Sequence, residues 1–123
     1  MTQQKYDLRR VADTLIVAMN DFNVESTLLL FTTDAVIDDS STGHQFHGQA
    51  GIRDYIERYF IEYNTVTCFL SSESLGNSCA RVRVDFTGDF GHEIGLLEIT
   101  INANGLIVHI DANLVYLPII YPV

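Results

Sequence analysis

HEIGLLEITINANGLIVHIDANLVY, residues 92–116, is the stretch on which the reading of this chain turns. It reads as two long strands joined at Asn104-Gly105, because Asn-Gly suits a tight two-residue hairpin in which both central residues take positive φ. Ile94, Leu96, Leu97, Ile99 and Ile101 are apolar on both parities, which predicts a first strand covered on both faces and central in its sheet. The second strand alternates. Leu106, Val108, Ile110, Ala112 and Leu114 fall on one side, and Ile107, His109, Asp111, Asn113 and Val115 on the other. His109, Asp111 and Asn113 therefore share a face, and whether that face meets water or a pocket decides what they can do.

Outward from the hairpin, the chain carries helices first and strands afterwards. Tyr6, Val11, Leu15, Ala18, Met19 and Phe22 recur at helical spacing and predict an amphipathic helix over residues 3–20. Asn23 can cap a second, short helix, VESTLLLF, with Glu25 in its first turn. Ala35 to Asp39 reads as a short strand dissolving into the polar loop SSTGHQFHG. A third helix runs from about Gln49 to Glu62, with Ile52, Tyr55, Ile56, Tyr59 and Phe60 along one stripe. Strands follow at Thr65–Leu75 and Cys79–Phe86. This order predicts one α+β domain over residues 1–123, with three helices on one face of a curved, mixed but mainly antiparallel sheet. The tail YLPIIYPV, broken by Pro118 and Pro122, reads as a cover over the domain, a lid or a dimer contact.

Composition narrows the function. With 123 residues the chain supports a single core, and 7 Lys and Arg against 16 Asp and Glu give a net charge of −9. That balance disfavours a nucleic acid partner, whose binding depends on clustered cations. No apolar run reaches the roughly 20 residues of a membrane helix, and the N-terminus lacks the apolar core of a signal peptide. These features predict a cytoplasmic protein. A two-residue turn at Gly76-Asn77 would set Cys79 opposite Ser74 and Cys68 opposite Asp85, so the two thiols are expected apart and reduced. His44 and His47, spaced H-x-x-H downstream of two carboxylates, match no defined zinc signature, and no metal is expected. No nucleophile motif, phosphate loop or dinucleotide fingerprint occurs, so no cofactor is expected either.

NDFNVESTLLLFTTDAVIDDS with FHGQAGIRDYIERYF resembles the opening of the SnoaL-like group in the nuclear transport factor 2-like superfamily. NANGLIVHIDANL is similar to that group's last hairpin. The resemblance implies a cone-shaped α+β fold used by isomerases, cyclases, epoxide hydrolases and non-catalytic domains. Asp39 lies where ketosteroid isomerases keep a general-base Asp, whereas Leu15 and Leu97 occupy the places of their oxyanion-hole Tyr and Asp. Asp111 matches the Asp of SnoaL-type cyclases, and Arg83-Val84-Asp85 with Asp111 matches the trio of limonene epoxide hydrolases.

Two readings follow. In the first, Asp111 is the base of a small cofactor-independent enzyme acting on an apolar carbonyl, polyketide-like or epoxide molecule. His109, Arg83 and Asp85 support it, while Asp39, Leu15, Tyr55, Tyr59, Leu97 and Asn113 line the ligand. In the second, the domain binds or dimerises without catalysis, and the charges of the Arg81, Arg83 and Asp85 face are solvated. An inward Asp85/Asp111 face would leave Val82, Val84, Phe86, Ile94, Leu96, Val108 and Ile110 on the outside, an apolar area that predicts a two-fold homodimer. Asp38 and Asp39 alternate, so one of them faces the cone.

Overall fold

A computed structural model describes residues 7–115. Helix α1, Leu8–Asn20, starts where the Asp7 carboxylate accepts the Arg9 N–H at 2.9 Å and buries the stripe Ala12, Leu15, Ile16 and Met19. Helix α2, Val24–Leu28, is capped as the sequence implies, by the Asn23 side chain accepting from the Ser26 N–H. Helix α3, Gly48–Ile56, buries Ile52, Tyr55 and Ile56. It then widens into a π-helical turn at Glu57–Ile61, where the Glu62 N–H reaches back five residues to the Glu57 carbonyl at 3.0 Å. Such turns re-aim side chains within a helix and recur at functional sites.

Six strands form one unclosed sheet in the order β2-β1-β6-β5-β4-β3. They are β1 (Phe31–Asp39), β2 (His44–His47), β3 (Val66–Ser74), β4 (Cys79–Gly88), β5 (Gly91–Ile101) and β6 (Ile107–Leu114). All neighbours are antiparallel except β1 and β6, which run parallel with Asp38 beside Asp111 and Asp39 beside Ala112. The expected α+β class, the three helices and the mainly antiparallel mixed sheet are thus present. Strand β2 lies within the stretch read as the loop SSTGHQFHG, and β1 begins four residues earlier than Ala35. The predicted role of the tail falls outside the described residues.

The hairpin at Asn104-Gly105 differs from the expected two-residue turn. Gly105 alone takes positive φ, at 79°, while the Asn102 side chain accepts the N–H groups of Asn104 and Leu106. Ile101 pairs with Ile107 and Thr100 with His109, so Val108 sits in a bulge. Between β3 and β4, Cys68 faces Asp85 as predicted, whereas Cys79 lies one place from its expected partner, since Ser74 pairs with Ala80. Both cysteines are free.

The larger correction concerns which face looks inward. Val82 and Val84 on β4, Leu97 and Ile99 on β5 and Ile110 and Ala112 on β6 are buried together with Ile37, Phe46, Leu15 and Ile52. They form the core beneath the helices. By strand alternation Arg81, Arg83 and Asp85, with His109, Asp111 and Asn113, point to the opposite, outer face. The physical reason is simple. The face that is apolar across every strand gains most by meeting the helices, and the charged parity stays hydrated. Of the residues expected outside, Val82, Val84 and Ile110 are core and Phe86 packs on Phe60, leaving half-buried Ile94 and Leu96 on the outer face and half-buried Val108 in the bulge. The apolar area argued for a two-fold dimer is therefore mostly covered by this chain's own helices.

Candidate functional site

Asp39 ends β1 on the inward parity and is only 6% exposed. The phenolic O–H of Tyr55, from α3, donates to its Oδ2 at 2.6 Å. The other oxygen, Oδ1, accepts the Ser41 N–H at 2.9 Å and the Ser41 hydroxyl at 2.5 Å. The β1–β2 turn thus wraps the carboxylate while one aromatic side chain holds it from the helix side. Burial, then the Asp39 charge and the hydrogen bond to it, push the Tyr55 phenol well above its ordinary range. Tyr55 therefore keeps its proton and acts as the donor.

The pair stands in a cleft of about 390 Å³ lined by Asp39, Ser41, Tyr55, Tyr59, Phe86 and Glu93, with Thr42, Phe60, Tyr63, Thr65, Phe90 and Leu114 completing its walls. Tyr55 sits at the centre of an aromatic cluster, its ring 4.8 Å from Phe46, 5.3 Å from Tyr59 and 5.8 Å from Phe60. The π-helical turn carries Tyr59 and Phe60, and β4 brings Phe86 to within 5.8 Å of Phe60. Gly95 makes room for that ring: a Cβ there would lie 2.4 Å from Phe86 Cε2. Tyr63 and Phe90 pack edge to face at 6.3 Å, and both are exposed, so they form part of the solvent-facing rim of the cleft.

The residues singled out in the sequence divide between two places. Asp39, Tyr55 and Tyr59 meet in the cleft. Leu15 and Leu97 lie deeper, around an apolar void of about 20 Å³, enough for one water at most and not for a ligand. Asp111, His109, Arg83, Asp85 and Asn113 are on the outer face. There His109 Nδ1 lies 3.8 Å from Asp111 Oδ2, with side chains 38% and 48% exposed, and Asp85 meets His92 at 2.9 Å. Arg83, Asp85 and Asp111 all stand on the outer parity, opposite buried Val82, Val84 and Ile110, so the trio expected of an epoxide hydrolase is not assembled inside the cone. Asn113 bonds Ser40 in the β1–β2 turn.

Sequence reasoning passed over Ser41, Phe90 and Glu93, and set Phe86 on the wrong side. The alternation Val82-Val84-Phe86 was the available signal, since the most apolar parity of a strand packs on the helices. Among the described residues, Asp38, His109 and Asp111 bring donor atoms within 4.8 Å of one another on the outer face. Asp38 is already engaged there by the Gln45 amide at 3.1 Å. His44 and His47, both exposed on β2, are not part of that group.

No protein-family model matches the sequence, and no curated protein matches it. Solved structures match closely in fold and include nuclear transport factor 2-like, ketosteroid isomerase-like and polyketide cyclase proteins. A proposed ketosteroid isomerase from Kribbella flavida shares 16% identity over 93% of this chain and 82% of its own, with a TM-score of 0.79. SalBIII, an epoxide hydrolase/cyclase-like enzyme of pyran ring formation in salinomycin, shares 14% identity over 92% and 94%, with a TM-score of 0.78. A protein of ketosteroid isomerase-like fold from Catenulispora acidiphila, in complex with trimethylamine, shares 12% identity over 83% and 82%, with a TM-score of 0.72. The chain has the nuclear transport factor 2-like, cystatin-like fold. No helix among the described residues is long and apolar enough to cross a membrane.

Proposed function

We propose that this chain is a small cofactor-independent acid/base catalyst of isomerase, cyclase or hydrolase type, acting in the cytoplasm on a small molecule in the aromatic cleft. Asp39, rather than Asp111, is the proposed base. The observation that carries this reading is the buried Asp39–Tyr55 pair at the wall of a cleft rich in aromatic side chains. A carboxylate so placed can take a proton from a carbon beside a carbonyl and return it to another carbon of the same molecule, a net isomerisation. Tyr55 and Ser41 fix its direction, and the phenols of Tyr59 and Tyr63 are the hydroxyls available to face a carbonyl oxygen. The positions that carry the oxyanion donors in ketosteroid isomerases hold Leu15 and Leu97 here, so a steroid dienolate route has no support. Several relatives in fold are isomerase- or cyclase-like, and one is in complex with a small amine, which favours a small-molecule ligand over a macromolecular one.

A second reading has an observation of its own. The Ser41 N–H and O–H close a local turn on Asp39, as they would in a static binding pocket. Deuterium uptake separates the two. A panel of small ketones and β-dicarbonyl compounds in D₂O, followed by NMR, should show exchange at the α-carbon accelerated by the wild type and not by Asp39→Asn. Equal exchange rates for the two proteins would remove Asp39 as the base and leave the binding reading.

A further inference from the structure

The charges lining the cleft are all of one sign. Asp39 is buried and Glu93 stands on the exposed rim, while the remaining lining is hydroxyl, aromatic or aliphatic. Neither Asp39 nor Glu93 takes part in an ion pair among the described residues, although eight other ion pairs are formed there. Every donor that reaches Asp39 is neutral: a phenol, a hydroxyl and a backbone amide. Among the described residues no cationic side chain therefore stands against this carboxylate, and a buried carboxylate favours a cationic partner. Around it stand Tyr55, Tyr59, Phe60, Tyr63, Phe86 and Phe90, and the faces of such rings carry the negative end of a quadrupole. Aromatic side chains lining a cleft beside one buried and one peripheral carboxylate suit a weakly hydrated organic cation.

We infer that the cleft takes an organic ammonium, a tertiary amine in its protonated form or a quaternary ammonium, with the cationic head against Asp39 and the rings and Glu93 at the entrance. The inference deepens the proposed function by naming the ligand class. It rests on reading the cleft as a ligand site, but not on catalysis. A cationic head next to Asp39 supplies the missing counterion, and a carbon acid carried on the same molecule would be presented to that carboxylate.

Choline and dimethylbutanol, its uncharged carbon isostere, test this directly, because they share shape and differ in charge. Binding is read from the tyrosine ring resonances, which report on Tyr55, Tyr59 and Tyr63. The wild type should bind choline at least about ten-fold more tightly than the isostere, the scale of a desolvated cation–π contact. In Asp39→Asn the preference should fall several-fold, to what the rings and Glu93 still supply. Glu93→Gln, on the exposed rim where folding is not at stake, should reduce the preference several-fold. Equal affinity of the wild type for the two probes overturns the inference. So does an absence of binding of both probes at tens of millimolar, and so does a preference that is undiminished in both variants. A choline preference with no deuterium exchange would retire the catalytic reading alone. Exchange without that preference would retire the cation alone.

Discussion

Replacing Tyr55 by Phe removes one hydroxyl and leaves the ring in its aromatic cluster. The lost contact is a 2.6 Å hydrogen bond to a carboxylate that is only 6% exposed. Hydrogen bonds to charged groups are worth about 1.5–3 kcal/mol, so Tyr55→Phe should lower stability at neutral pH by about 2 kcal/mol. The same site fixes the alkaline behaviour. Its phenol is raised in the folded state above the ordinary value of about 10, by burial first and by Asp39 next. A raised group contributes fully below its unfolded pKa and loses that contribution as pH climbs toward the folded one. Each pH unit above about 10 then costs the wild type about 1.4 kcal/mol from this group alone, and the variant nothing. The gap between the two proteins should narrow from about 2 kcal/mol at neutrality as pH rises past about 10 toward 11. Urea denaturation of both proteins between neutrality and that pH measures it. A variant as stable as the wild type at neutral pH would refute the role of the hydroxyl, and a gap that does not shrink would refute the buried, protonated phenol.

Asp111→Asn should leave exchange activity and choline binding unchanged and shift stability by less than about 0.5 kcal/mol, since Asp111 is half exposed on the outer face; a circular-dichroism melt and the exchange assay check both. Gly51→Ala should destabilise by about 1–3 kcal/mol, because its Cβ would lie 2.9 Å from the Phe46 carbonyl carbon, a backbone atom with little room to move. Asn20→Ala should cost about 1–3 kcal/mol by urea titration, as the Asn20 amide both donates to the Thr67 carbonyl and accepts its N–H, at 2.9 and 2.8 Å.

The elements were legible because local chemistry marks them. Asn23 announces the start of α2, the Tyr55–Tyr59–Phe60 stripe gives α3 its inner side, and Gly76-Asn77 separates β3 from β4. What the sequence left open was direction. Alternation puts His109, Asp111 and Asn113 on one face, but a period of two says nothing about which face a helix will cover. That question is answered collectively, by Ile37, Val82, Ile99 and Ile110 lining up across four strands, of which β1 joins the other three only through its long-range pairing with β6. Asp39 was identified as one of two candidates and Tyr55 as a lining residue, yet their hydrogen bond joins positions 16 apart through the packing of α3 on the sheet. The π-helical turn, which carries Tyr59 and Phe60, gave no recognisable mark in ERYFI.

The parallel seam between β1 and β6 bears on how the chain reaches this state. Strands β3 to β6 follow one another as neighbours in both sequence and space, so that meander can form by successive short-range pairings. Strand β1, with β2, joins the sheet only through β6, by contacts such as Phe31 to Ile107 and Asp39 to Ala112. Closing so long a loop carries an entropic cost before any pairing offsets it. During synthesis the first half must therefore wait, its apolar strand unmatched, until residues 107–114 have emerged. The cleft shares this dependence: Asp39 and Tyr55 come from the waiting half, Phe86 and Glu93 from the meander. Closure of this seam is thus the step that assembles the cleft, and a nascent chain halted after β5 would hold both sets of wall residues without holding them together.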